Sequence, residues 1–162
     1  MNEIGQVLAE IADREFDGTA YNGPSFMATL RALPLDQVLS TETLEGFSVF
    51  AIALHVLYYK HFVLTFLGAD VEPFPYEKTG WPAVPAEADQ ESWTEVLDRM
   101  KHYHALLGKA IREISPSALE EVVPAWRITK RDALLWYVTH DVYHVAQIRN
   151  MGVPGLEFKP PE

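Results

Sequence analysis

The sequence predicts an all-α protein, a four-helix bundle with a long loop between its second and third long helices. Three observations point there. Apolar residues recur at helical spacing over four segments, no segment alternates apolar and polar residues as a half-buried strand would, and Pro and Gly clusters separate the segments. Three of the four segments are long enough to pack side by side, which is what a bundle requires. At 162 residues the chain suits one domain over 1–162 and can bury a core of its own.

Taken in order, the first helix is expected from Asn2 to Phe16, with Ile4, Val7, Leu8 and Ile11 on one apolar face. Asp17-Gly18 and Asn22-Gly23-Pro24 end it. Pro24-Ser25 starts a short helical piece carrying Phe26, Met27 and Leu30, and Pro34 breaks it. Asp36 to Glu45 reads as loop with at most one helical turn. The second long helix runs from Gly46 to Leu67 and stops at Gly68. It is apolar around most of its circumference, as in a helix central to a core or shared with a second copy. Phe47 to Leu67 has about the length of a membrane span. His55, Lys60 and His61 fall inside it, and charge is costly there, so a buried helix is the better reading.

Residues 69–88 hold Pro73, Pro75, Pro82 and Pro85 and show no helical period. Phe74, Tyr76, Trp81 and Val84 give this long loop apolar anchors, and loops of such length are often functional. The third long helix has the clearest period, through Trp93, Val96, Leu97, Met100, Tyr103, His104, Leu107, Ile111 and Ile114, and Ser115-Pro116 ends it. A loop over 117–128 leads to the last helix, with Thr129 as N-cap, Asp132 three residues on, and Gly152 and Pro154 as stops.

Composition excludes several function classes. With 13 basic and 23 acidic residues the net charge is −10, which repels nucleic acid and anionic membrane surfaces. There is no cysteine, hence no disulfide, no thiolate nucleophile and no Cys-ligated zinc. The start, Met1-Asn2-Glu3-Ile4-Gly5, lacks a secretory signal, so the expected compartment is the cytoplasm.

The six histidines carry the chemistry. His140 and His144 are four residues apart on the last helix, about 40° apart on one face, so both rings can reach one ion. Ala133, Tyr137, His140, His144, Gln147 and Met151 follow one another at intervals of three and four, the pattern of an inward seam. Leu134, Leu135, Val138, Val142, Val145 and Ile148 are expected to flank it. Two imidazoles and an amide thus face the core, where an unsatisfied polar group costs roughly 1–3 kcal/mol. Either each ring finds a hydroxyl or carbonyl, or one divalent metal ion satisfies both. A catalytic site takes three protein ligands and leaves a position open. His55, mid-helix between Leu54 and Val56, is the strongest third ligand. His104 is a fourth ligand, a neighbour supporting the site, or an ordinary core histidine. His61 lies on another face, and His102 on the polar side.

The run His140-Asp141-Val142-Tyr143-His144-Val145-Ala146-Gln147-Ile148 resembles the last-helix signature of the DinB-like superfamily, which includes YfiT-type metal-dependent hydrolases and bacterial thiol S-transferases. Ala53-Leu54-His55-Val56, Gly80-Trp81-Pro82 and Ser92-Trp93 extend the resemblance over nearly the whole chain. It implies a DinB-like bundle, a three-histidine site of His55, His140 and His144 holding zinc or nickel, and a homodimer. Iron and manganese suit the same neutral donors.

The expected function is therefore that of a metal-dependent enzyme, a hydrolase or low-molecular-weight thiol transferase acting on a small molecule. Gln147 is placed to hydrogen-bond His144. Tyr59 and Tyr137 are candidate pocket groups and proton donors, and Asp141, about 100° round the helix, is less well placed to orient a ring. The alternative is a non-catalytic stress-related protein whose metal is structural or whose pocket binds a small ligand.

Overall fold

The computed structural model describes residues 3–157. Among them the chain forms α1 (Glu3–Asp17), α2 (Phe26–Arg31), α3 (Leu35–Leu39), α4 (Val49–Leu67), α5 (Gln90–Glu113) and α6 (Pro116–Leu119). An antiparallel hairpin of β1 (Val122–Val123) and β2 (Ile128–Thr129) follows, and then α7 (Lys130–Asn150). The expected start of the first helix at Asn2 lies outside the described residues.

Each long helix after α1 begins where a side chain satisfies an orphan backbone N–H. Ser48 accepts from Ala51 N at 3.1 Å, Asp89 and Ser92 form a reciprocal capping box, and Thr129 accepts from Asp132 N at 3.2 Å. α4 ends as the sequence predicts. Gly68 turns left-handed at φ 77°, and the N–H of Ala69 closes back onto the carbonyl of Leu64 at 3.0 Å.

Around the bundle the order is α1, α5, α4, α7, each long helix packing along two neighbours. α1 and α4 therefore occupy opposite corners, and α2 and α3 carry the chain across between them. The core is built from Phe50, Ile52, Leu54, Leu57 and Leu64 of α4, Met100 and Leu107 of α5, Tyr137 of α7 and Phe26, Met27 and Leu30 of α2.

Three sequence expectations need correction. α1 buries Leu8, Ala9, Ala12 and Phe16, whereas Ile4 and Val7 are 50% and 56% exposed. The small Ala9 and Ala12 let α1 lie close to α5 and α7, and period counting that favours bulky residues selected the neighbouring stripe. On α7, Leu135 is exposed and does not flank the seam. The stretch 117–128 is not a plain loop: α6 and the hairpin occupy it, with Val122 opposite Thr129 and Val123 opposite Ile128. Strands of two residues are too short to show an alternating period.

The hairpin matters to α4. It carries Trp126, whose ring lies 5.2 Å from Phe62, 6.0 Å from Phe66 and 4.7 Å from Trp136. From the long loop, Phe74 packs on Tyr58 at 5.4 Å. Val49–Leu67 is long and apolar enough to cross a membrane by length and composition, yet most of it is buried in the bundle. Most of the apolar circumference of α4 is thus covered within the chain.

Replacing Gly68 with alanine places an L side chain at φ 77° in open space, so only backbone strain opposes it. The expected cost is about 1–2 kcal/mol, read from the urea midpoint of unfolding.

Candidate metal centre

α4 and α7 pack along each other, and the seam between them brings His55 together with His140 and His144. All three rings are buried. His140 Nε2 stands 3.2 Å from His55 Nε2 and 3.1 Å from His144 Nε2. Each residue offers one donor atom, and the three atoms lie within 4.8 Å of one another.

The tautomers follow from the outer nitrogens. His55 Nδ1–H donates to the carbonyl of Gly80 at 2.5 Å, and His144 Nδ1–H donates to Gln147 Oε1 at 2.7 Å. With Nδ1 protonated on both rings, both Nε2 atoms carry lone pairs aimed at His140 Nε2. One N–H on His140 cannot satisfy two acceptors well, whereas a cation at the centre would take a lone pair from each ring. A tetrahedral ion with bonds of about 2.0–2.1 Å spaces its ligands by roughly 3.3 Å, close to the two short edges of this triangle. The donor set therefore fits a divalent cation.

Electrostatics agree. Burial lowers His55 to about 4 and His140 to about 2, and it lowers His144 as well. The hydrogen bond to Gly80 opposes the shift at His55, and that to Gln147 opposes it at His144. All three rings are thus neutral near pH 7, the form that binds a metal.

The surroundings orient the ligands. Gln147 Nε2 donates in turn to Glu45 Oε2, which fixes the amide so that its oxygen faces His144. Gly80 can bring its carbonyl onto His55 because it lacks a Cβ, which would stand 3.0 Å from the Tyr59 hydroxyl. Trp81 stacks on His55 at 3.9 Å, and Trp136 lies 4.3 Å from His140. Above the imidazoles opens a cleft of about 460 Å³, lined by Tyr59, Trp81, Trp136, Thr139, Tyr143 and Gln147 besides the three histidines. Surface hollows of similar volume lie near Glu113 and near Asp36, and neither gathers a cluster of three His, Asp or Glu donors among the described residues.

Of the other sequence candidates, Tyr59 and Gln147 line the cleft. Tyr137 does not. Its hydroxyl is buried between His104 Nδ1 at 3.2 Å and Lys60 Nζ at 3.4 Å. His104 stays out of the donor set because its Nε2–H donates to Asp13 at 2.9 Å, so both nitrogens are engaged; it is a core histidine stacked on Phe16. His61 donates to the Glu72 carbonyl at 2.8 Å, and His102 is exposed. Asp141 binds Lys60, not an imidazole.

Sequence reasoning missed Trp136, Thr139, Tyr143, Glu45 and the Gly80 carbonyl. Trp136 and Tyr143 had a readable signal: positions 136, 140, 143 and 147 form a second row at intervals of four, three and four beside the seam.

The model of one known protein family, the DinB superfamily, matches residues 22–148. The chain belongs to the DinB superfamily. Every donor and every residue that orients one lies inside the DinB match, Glu45, His55, Gly80, His140, His144 and Gln147 alike. No significant match was found among curated proteins or solved structures.

Two outcomes are expected. Gln147→Leu removes the acceptor for His144 Nδ1–H and should weaken metal binding about 10–100-fold in a competition titration. In metal-free protein, the unfolded chain takes up protons below about pH 6.5, while His55 and His104 in the fold resist them down to about 4. Their contribution is therefore complete above pH 6.5 and is lost as pH falls toward 4, so the urea midpoint should drop steadily across that window.

Proposed function

We propose that this chain is a metal-dependent enzyme acting on a small molecule, by hydrolysis or by transfer of a low-molecular-weight thiol. The observation that carries the reading is that three imidazole nitrogens converge at the floor of an open cleft, with no fourth His, Asp or Glu donor in the cluster among the described residues. A closed structural site uses four protein ligands, and a catalytic one keeps a position free.

A divalent ion bound by His55, His140 and His144 would lower the pKa of a water or thiol and so supply a nucleophile near neutral pH. Zinc or nickel is the proposed metal, and iron or manganese accepts the same donors. Everything else is done by the chain. Gly80 and Gln147 hold two imidazoles in the ligating tautomer. Trp81 and Trp136 form flat apolar walls that can receive an apolar portion of a substrate. Burial raises the pKa of Tyr59, so its hydroxyl keeps its proton and can donate to a leaving group in the cleft. With no cysteine in the chain, thiol transfer requires the thiol as co-substrate, which goes with a reducing, cytoplasmic setting. All three donors come from one chain, so a homodimer is not needed to complete the site.

Metal analysis of untagged protein beside His140→Ala and His144→Ala tests this. About one divalent ion per chain is expected in the parent and almost none in either variant. Solvent-water relaxation of the cobalt-loaded parent should then report an exchangeable position. Folded parent protein that takes up no metal would defeat the reading, and a loaded site without exchangeable water would favour a structural ion.

A further inference from the structure

Among the described residues, the most deeply buried charged side chains lie outside the metal centre. Lys60 Nζ meets Asp141 Oδ2 at 2.6 Å, with the two side chains 1% and 5% exposed. As a source of stability this pair is poorly made. Both ions give up hydration, and exchanging such a pair for apolar residues is often neutral or stabilising. In addition, Asp141 Oδ1 is buried with no hydrogen-bond partner.

Its placement suggests another use. Lys60 follows His55 by five residues on α4, about 140° round the helix and about 7.5 Å along it. Asp141 directly follows His140 on α7, about 100° round. The two helices are therefore joined on two different sides: the imidazoles meet at the cleft, and the ion pair meets in the core. There the ammonium sits 4.6 Å above the Phe16 ring of α1 and 4.9 Å from the Tyr137 ring. The pair is also braced by the other helices. Lys60 donates to the Tyr137 hydroxyl, which donates to His104 of α5, which donates to Asp13 of α1, and Arg112 of α5 holds that carboxylate from the far side. One polar chain thus takes residues from all four long helices.

Apolar packing along α4 is non-directional and tolerates a change of roll, and cores lose uniqueness before they lose stability. An ion pair in an apolar core has one favourable geometry. We propose that Lys60 and Asp141 are positioning residues for the metal centre, locking the roll of α4 against α7 and so setting the spacing of the three imidazole nitrogens. Rolling either helix far enough to open the triangle would pull a buried cation away from its buried anion.

The inference rests on the reading that these histidines hold a metal, so its test uses cobalt on metal-free protein together with thermal melting. The double variant Lys60→Met/Asp141→Leu removes both charges while keeping the volume apolar. It is expected to melt no earlier than the parent, to bind cobalt roughly tenfold or more weakly, and to show shifted visible bands. Cobalt affinity within roughly twofold of the parent, with the same spectrum, overturns the positioning role. If the double variant fails to fold, Asp141→Glu decides. It keeps the charge balance but moves the carboxylate by one carbon, so a shifted spectrum with weaker binding supports the role and parental behaviour overturns it. Failure of the parent itself to bind cobalt overturns the metal-site reading instead, and the positioning role falls with it.

Discussion

The packing of α4 along α7 decides where the three imidazoles meet, because His55 comes from one helix and His140 and His144 from the other. For rings carried on separate helices to place their nitrogens 3.1–3.2 Å apart, the helices must agree in crossing, translation and roll together. Close-packed side chains restrict the first two. α4 is apolar around most of its circumference, so its apolar packing gives roll little direction. The directional contacts in the interface are polar, and they lie on both sides of it.

Comparing the two kinds of buried histidine shows what marks the centre out. His104 and His140 are both buried, and burial lowers the pKa of each. His104 has a protein partner at each nitrogen and stacks on Phe16, which is how a polar ring is accommodated in a core. His55 and His144 each bond a fixed protein oxygen at Nδ1, while their Nε2 atoms meet only a third imidazole, His140 Nε2, so their lone pairs converge. Burial by itself separates nothing. The direction of the unshared electron pairs does.

The cleft combines a rigid floor with walls borrowed from irregular segments. The donors sit on long capped helices, where backbone position is fixed by the hydrogen-bond ladder. The residues that shape access come from elsewhere: Trp81 and the Gly80 carbonyl from the proline-rich stretch, and Trp126 of the hairpin behind Trp136. Such a division allows the histidine floor to stay constant while the walls vary, as happens widely when function is grafted on a common fold.

Local periodicity was enough to place the four long helices, their caps at Thr129 and Gly68, and the inward seam that carries His140, His144 and Gln147. These features depend on residues within one or two turns of each other, so the sequence contains the whole of the relevant physics. His55 was legible as a mid-helix histidine in an apolar setting, and Trp81 as a loop anchor. The buried stripe of α1 is hard to read because alanines leave little trace in a pattern of bulky residues, and the hairpin is too short to have a period. Tertiary structure alone decided the pairings across long separations: Lys60 with Asp141, Glu45 with Gln147, and His55 with the Gly80 carbonyl. Each depends on how two distant segments are rolled and where a loop passes. Periodicity tells which face of a helix turns inward; only the assembled bundle fixes what that face meets.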